Sequence, residues 1–192
     1  MAKTKNANYS CTQRALHWGI ALLVFILLPT GFWMTTRGEA GIWDGLTGTL
    51  YATHKSIGFA VLWLMFWRAA LKLLGGKPPY PAHMPDGQKQ LACVTQRGLY
   101  LLMFVVPLLG WAGVTAFPAL NIFAGLHLPA MPLIEQSQDL AKQILGIHGW
   151  LAIALCVLIA MHIAGALKHK WIDRDGVFER MSSGKNTAPA NK

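Results

Sequence analysis

Polar and apolar positions along this chain separate into long blocks, and four apolar blocks are long enough to cross a bilayer. A hydrocarbon core of about 30 Å needs about 20 mostly apolar residues at 1.5 Å rise each. Residues 15–34 contain no Asp, Glu, Lys or Arg. Residues 51–74 carry Lys55 near one end and Arg68 and Lys72 near the other, from where long side chains reach the headgroups. Residues 98–117 and 145–167 complete the set. The pattern predicts helices over about 12–34, 51–74, 96–117 and 144–169, an all-α, integral membrane four-helix bundle. Pro29 and Pro107 fall inside the first and third spans, where neighbouring helices can satisfy the freed carbonyls. The first block exceeds the apolar core of a signal peptide and no small-residue cleavage site follows it, so it is expected to be retained.

The polar blocks are short. Residues 75–87, GGKPPYPAHMPDG, read as an irregular connection. The stretch LIEQSQDLAKQIL, 133–145, has apolar residues near helical spacing and is expected to form a short interfacial helix ahead of the fourth span. Residues 12–181 form one transmembrane domain, and the small, polar residues 182–192 are expected to be a disordered tail. No internal repeat is evident.

Composition agrees with this reading: 54% of residues are hydrophobic and 13% charged, against roughly 25% charged in soluble domains. Of the 17 basic residues, 14 fall in the N-terminus, the connection between spans two and three, and the C-terminus, leaving Arg37, Lys55 and Lys142 opposite. The positive-inside rule then places both termini in the cytoplasm. The net charge of +9 is thereby assigned to topology and to an anionic inner leaflet, and calls for no nucleic acid. The outer segments, with Glu39, Asp44, Glu135 and Asp139 against the three basic residues, sum to about −1. Cys11, Cys93 and Cys156 are scattered, so no disulfide and no thioether-linked cofactor is expected.

Histidines change the picture most. His148 and His162 are 14 residues apart, about 21 Å and nearly four turns of helix, so they share a face at opposite depths. On the topology above, His54 matches His148 near the outer side and His17 matches His162 near the inner side. A flat ligand held by one imidazole on each side would fit at both levels, and non-covalent b-type haem is such a ligand. Zinc would want three or four protein ligands, and no Cys, Asp or Glu lies at matching depth. Gly19, Gly58, Gly149 and Gly165 lie near these histidines and would let a macrocycle approach. His83 and His127 fall in connections and read as surface residues. His169 lies about two turns beyond His162 at the inner boundary.

The residues ALHW opening the first span, HKSIG in the second, the pair His148 and His162, and the closing ALKHKWIDRDGVFERM together resemble the bacterial cytochrome b561 family, from about Arg14 to Met181. The resemblance implies a multi-pass protein of the inner (cell) membrane that holds two haem b groups and exchanges electrons with ubiquinone or another membrane quinone. The family that the chain resembles is related to the cytochrome b subunits of hydrogenases and formate dehydrogenases. It implies His17, His54, His148 and His162 as axial ligands of haem iron and His169 as a catalytic candidate in the quinone region. Arg68, Lys72, Lys168 and Lys170 at the inner boundary, and Lys55 at the outer one, are candidate propionate partners. One member of the family oxidises superoxide and reduces ubiquinone, although a negative outer surface gives an anion no attraction. The alternative expectation is a haem-bearing membrane anchor whose 118–142 loop docks a periplasmic redox partner.

Overall fold

The computed structural model describes residues 8–76, 78–81 and 83–183. Four long antiparallel helices dominate it: α1 (Cys11–Glu39), α2 (Gly45–Gly75), α3 (Asp86–Ala116) and α4 (Gln138–Lys168). A π-helical turn, His169–Asp173, and a short α5 (Val177–Met181) follow. Among the described residues there is no strand, only an isolated bridge between Asn121 and His127. All four long helices are long and apolar enough to cross a membrane. An even number of crossings puts both termini at one end of the bundle, here called the terminal end, and the α1–α2 and α3–α4 connections at the distal end. Trp33 and Trp43 towards the distal end, and Trp18 and Trp171 towards the terminal end, are exposed, as amphipathic rings at two membrane–water interfaces would be.

Every long helix outruns its apolar block, because polar residues that cap or enter a helix carry no hydropathy signal. At the start of α1, Ser10 Oγ accepts from the Gln13 N–H at 3.2 Å and Gln13 Oε1 accepts from the Ser10 N–H at 3.0 Å, a reciprocal cap. α2 begins at Gly45, six residues before its apolar block, because Asp44 caps it: Oδ1 accepts from the Thr47 N–H at 2.9 Å. Arg37 closes the same corner, bonding Asp44 Oδ2 at 2.6 Å and the fully buried Thr47 hydroxyl at 2.8 Å. The expected interfacial helix within 133–145 is corrected: residues 133–137 are non-helical, Ser137 caps α4 through the Leu140 N–H at 3.3 Å, and the remainder is the first part of α4 itself. Residues 182 and 183 form a turn, and the rest of the expected tail, 184–192, lies outside the described residues.

Packing divides the bundle into two hairpins, α1 with α2 and α3 with α4, which meet more lightly through α2 and α3. Among the helix glycines the least room is at Gly113 on α3, where a β-carbon would lie 2.4 Å from Leu145 Cδ2 and 2.7 Å from its Cγ. The buried apolar core holds Ile20 and Val24 of α1, Val61 and Met65 of α2, Met103 and Val106 of α3, and Leu155 of α4. Leu155 stands midway between His148 and His162, so the core fills the middle of the bundle between the two histidine levels. The connection 118–137 is tied to the distal end by Trp111 Nε1 to the Pro129 carbonyl at 2.7 Å, the Met131 N–H to Thr115 Oγ1 at 3.0 Å, and Lys55 Nζ to the Ala119 carbonyl at 2.8 Å.

Two outcomes are expected. Gly113→Val should destabilise the bundle by about 1–3 kcal/mol through overpacking, read as a lower midpoint of denaturation in detergent. The Asp44 carboxyl is held down to about 2 from its ordinary 3.8, chiefly by the Thr47 backbone N–H and next by Arg37. A depressed carboxylate stabilises the fold above its unfolded value and loses that contribution as pH falls through its folded value. The melting-temperature gap between wild type and Asp44→Asn should therefore stay constant above the ordinary value and close as pH falls towards 2.

Candidate functional site

Helix spacing, crossing and capping bring the four span histidines into two facing pairs. His54 of α2 meets His148 of α4 with ring centroids 6.1 Å apart and planes at 85°. His17 of α1 meets His162 of α4, also at 6.1 Å, with planes at 84°. α4 carries one member of each pair on a single face, while the partners come from different helices. α3 has no histidine, yet it serves the site through its backbone.

The distal pair is oriented by carbonyls. His54 Nδ1–H donates to the Leu27 carbonyl at 3.1 Å, and His148 Nδ1–H donates to the Val106 carbonyl at 2.9 Å. A carbonyl only accepts, so the proton sits on Nδ1 and the Nε2 lone pair is left free. Both imidazoles reach these carbonyls because glycine lies one turn further along each receiving helix. A β-carbon at Gly31 would stand 2.9 Å from His54 Cε1, and one at Gly110 would stand 3.1 Å from His148 Cε1. The same device thus occurs once in each hairpin. An apolar cavity surrounds these two histidines, walled by Val24, Val61, Met103, Val106 and Leu155, with Gly58 in its lining. Gly19, Gly149 and Gly165 have open space where a side chain would be, and Gly58 has one Leu27 methyl at 3.9 Å.

At the terminal end, α5 folds back onto α1, with Trp18 Nε1 donating to the Met181 carbonyl at 3.1 Å. Arg68 Nη1 donates to the Gln13 carbonyl at 3.1 Å, which puts a guanidinium one helical turn before His17. His169 opens the π-helical turn after α4; its Nδ1–H donates to Asp175 Oδ2 at 2.7 Å and lies 3.4 Å from Asp173 Oδ2. Lys168 Nζ bonds both Asp173 oxygens, at 2.7 and 2.6 Å. His169, Asp173 and Asp175 offer three possible metal-ligand atoms within 4.8 Å, but the Lys168 ammonium already provides the cation there. Lys72 lies over the Tyr100 ring at 3.7 Å and Lys170 over the Phe178 ring at 4.7 Å. His83 and His127 are exposed in connections, as expected.

Hydropathy and histidine depth locate the pairs but miss the two carbonyls, Gly31, Gly110, and the carboxylates behind His169. The signal for the glycines is present: each follows a span proline within three residues, Pro29 before Gly31 and Pro107 before Gly110.

A multi-pass helical membrane protein with stacked interior histidine pairs belongs to the class of membrane cytochromes. A family model described as prokaryotic cytochrome b561 matches residues 8–184, and the chain belongs to that family. It is 31% identical to cytochrome b561 homolog 2 of Escherichia coli (strain K12) over 176 residues, 90% of each chain. It is 32% identical to a probable superoxide oxidase, CybB, of Yersinia pestis over 90% of this chain and 94% of that one. It is 27% identical to cytochrome b562 of Cereibacter sphaeroides over 93% of this chain and 97% of that one. Membership makes the protein a membrane electron-transfer cytochrome and implies b-type haem. The chain's donor set suits such a group: paired imidazoles, apolar walls, and cationic side chains near the membrane boundaries.

Proposed function

We propose that the chain holds two b haems, one between His54 and His148 and one between His17 and His162, and carries electrons across the bilayer to or from membrane quinone. The observation that carries this reading is the equal 6.1 Å ring separation at both levels. Two metal–imidazole bonds of about 2 Å each, added to the two ring half-widths, need a gap of this size. Haem supplies the one-electron chemistry. Everything else falls to the chain. The Leu27 and Val106 carbonyls hold the distal imidazoles with Nε2 free, as hydrogen-bonded second partners do for metal-bound histidines generally. The apolar walls exclude water and lower the local dielectric. Arg68 at the terminal end and Lys55 beside His54 are the candidate partners for propionates.

Orientation follows from charge: the terminal end, rich in Lys and Arg, faces the cytoplasm of a cell whose inner membrane holds the protein. His169 lies at that end and is the group to handle the proton that a quinone gains or loses with each electron. The name of the Yersinia pestis relative raises superoxide as the electron donor. The outer segments here, at about −1 in sum, provide no steering field for an anion.

Replacement separates the two levels. His54→Ala and His148→Ala should each remove the same one of two haem equivalents, and His17→Ala and His162→Ala the other, read from haem content and reduced-minus-oxidised spectra. Losses that ignore these pairs would contradict the assignment. Replacing His169 with Gln should leave both haems bound and slow quinone-linked reoxidation by about tenfold or more, the lower reach of general acid–base catalysis. An unchanged rate would remove it from the quinone reaction.

A further inference from the structure

The carboxylate behind His169 is the one buried charged side chain among the described residues. Asp175 is 6% exposed, yet both its oxygens are engaged: Oδ1 accepts from the Val177 N–H at 3.1 Å and Oδ2 accepts from His169 Nδ1–H at 2.7 Å. The chain bends sharply to achieve this. The π-helical turn ends at Asp173, Arg174 is left-handed at φ 51°, and Gly176 follows at φ 78°. The nearby cations have other partners: Lys168 is on Asp173, Lys170 over Phe178, Arg174 Nε on the Trp171 carbonyl, and Arg180 on the Pro79 carbonyl. Asp173, the other carboxylate near His169, is the more distant at 3.4 Å and is neutralised by Lys168.

We propose that Asp175 is a positioning residue for proton exchange with quinone: it fixes the His169 tautomer with hydrogen on Nδ1 and so presents Nε2. The inference rests on the reading of His169 as the quinone-side group. Reduction of a quinone to its quinol takes two electrons and two protons. The electrons come from the b-type haem that the family carries, and each is matched by one proton. As a quinone oxygen becomes negative, imidazolium Nε2–H gives it a proton, the N–H bond breaks and an O–H bond forms. The ring returns to neutral with Nδ1–H still on the carboxylate, and water at the membrane surface protonates Nε2 again for the second transfer. Quinol oxidation runs the same exchange backwards. An ionised carboxylate accepts only, so it enforces this tautomer. An asparagine amide can donate to Nδ1 and force the hydrogen onto Nε2 instead.

The test compares Asp175→Asn, Asp175→Glu and His169→Gln in full-length, haem-loaded protein. Reduced protein is mixed with a short-chain ubiquinone analogue and reoxidation is followed by absorbance, while ¹⁵N spectra of histidine-labelled, reduced protein report the tautomer. The His169 signal is the one missing from His169→Gln. Expected results are unchanged haem content, reoxidation about tenfold or more slower in Asp175→Asn, partial recovery in Asp175→Glu, and an Nδ1–H signal that moves to Nε2–H only in Asp175→Asn. Slow His169→Gln with a wild-type rate in Asp175→Asn overturns the role of Asp175 and leaves the quinone reading standing. A wild-type rate in His169→Gln overturns both. An unmoved tautomer in a slow Asp175→Asn also overturns the proposal, because the carboxylate then acts through the fold alone.

Discussion

An imidazole inside a bilayer must find a partner, and the whole bundle is arranged around that requirement. Water is absent from the hydrocarbon core, so a polar group without a partner there costs several kilocalories per mole. His17 with His162 and His54 with His148 face one another across helices, one pair at each level, with centroids 6.1 Å apart, a gap wider than a direct hydrogen bond. At the distal level one nitrogen of each ring, Nδ1, finds its partner in a carbonyl that a helix exposes towards it. This use of backbone explains how α3 contributes to the site with no histidine of its own.

Packing follows from the same arrangement. Each hairpin closes where small residues allow it, Gly31 against His54, Gly110 against His148 and Gly113 against Leu145. The close approach of α3 to α4 fixes His148 against Val106, and that of α1 to α2 fixes His54 against Leu27. The apolar core between the levels then holds the two pairs apart along the membrane normal. Close helix approach through small residues is the usual way membrane helices gain packing energy, since lipid offers no hydrophobic drive to bring them together. Here that packing also orients the chemistry.

Much of this was legible in the sequence because membrane helices obey a simple rule of length and apolarity. The four spans and the two histidine pairs follow from hydropathy, basic-residue count and helical rise. Helix ends were less legible: α3 begins at Asp86, ten residues before its expected start, since polar residues outside the hydrocarbon remain helical without an apolar signature. Residues 133–145 read as a separate interfacial helix because their periodicity is helical, and nothing local shows that 133–137 stay non-helical while 138–145 run on into α4. The receiving carbonyls were invisible because every residue has one. Asp175 was hidden for another reason, since its link to His169 depends on a π-helical turn and two left-handed residues that hydropathy does not encode.

The proposed holding of two haems, one between His54 and His148 and one between His17 and His162, is open to direct measurement. Its most direct measurement is the haem-to-chain ratio of purified protein, from the pyridine haemochrome and quantitative amino-acid analysis, joined to low-temperature electron paramagnetic resonance of the oxidised form. Two b haems per chain are expected, both low-spin with two nitrogen ligands. One haem per chain, or a substantial high-spin signal from iron lacking its second imidazole, would contradict the proposal.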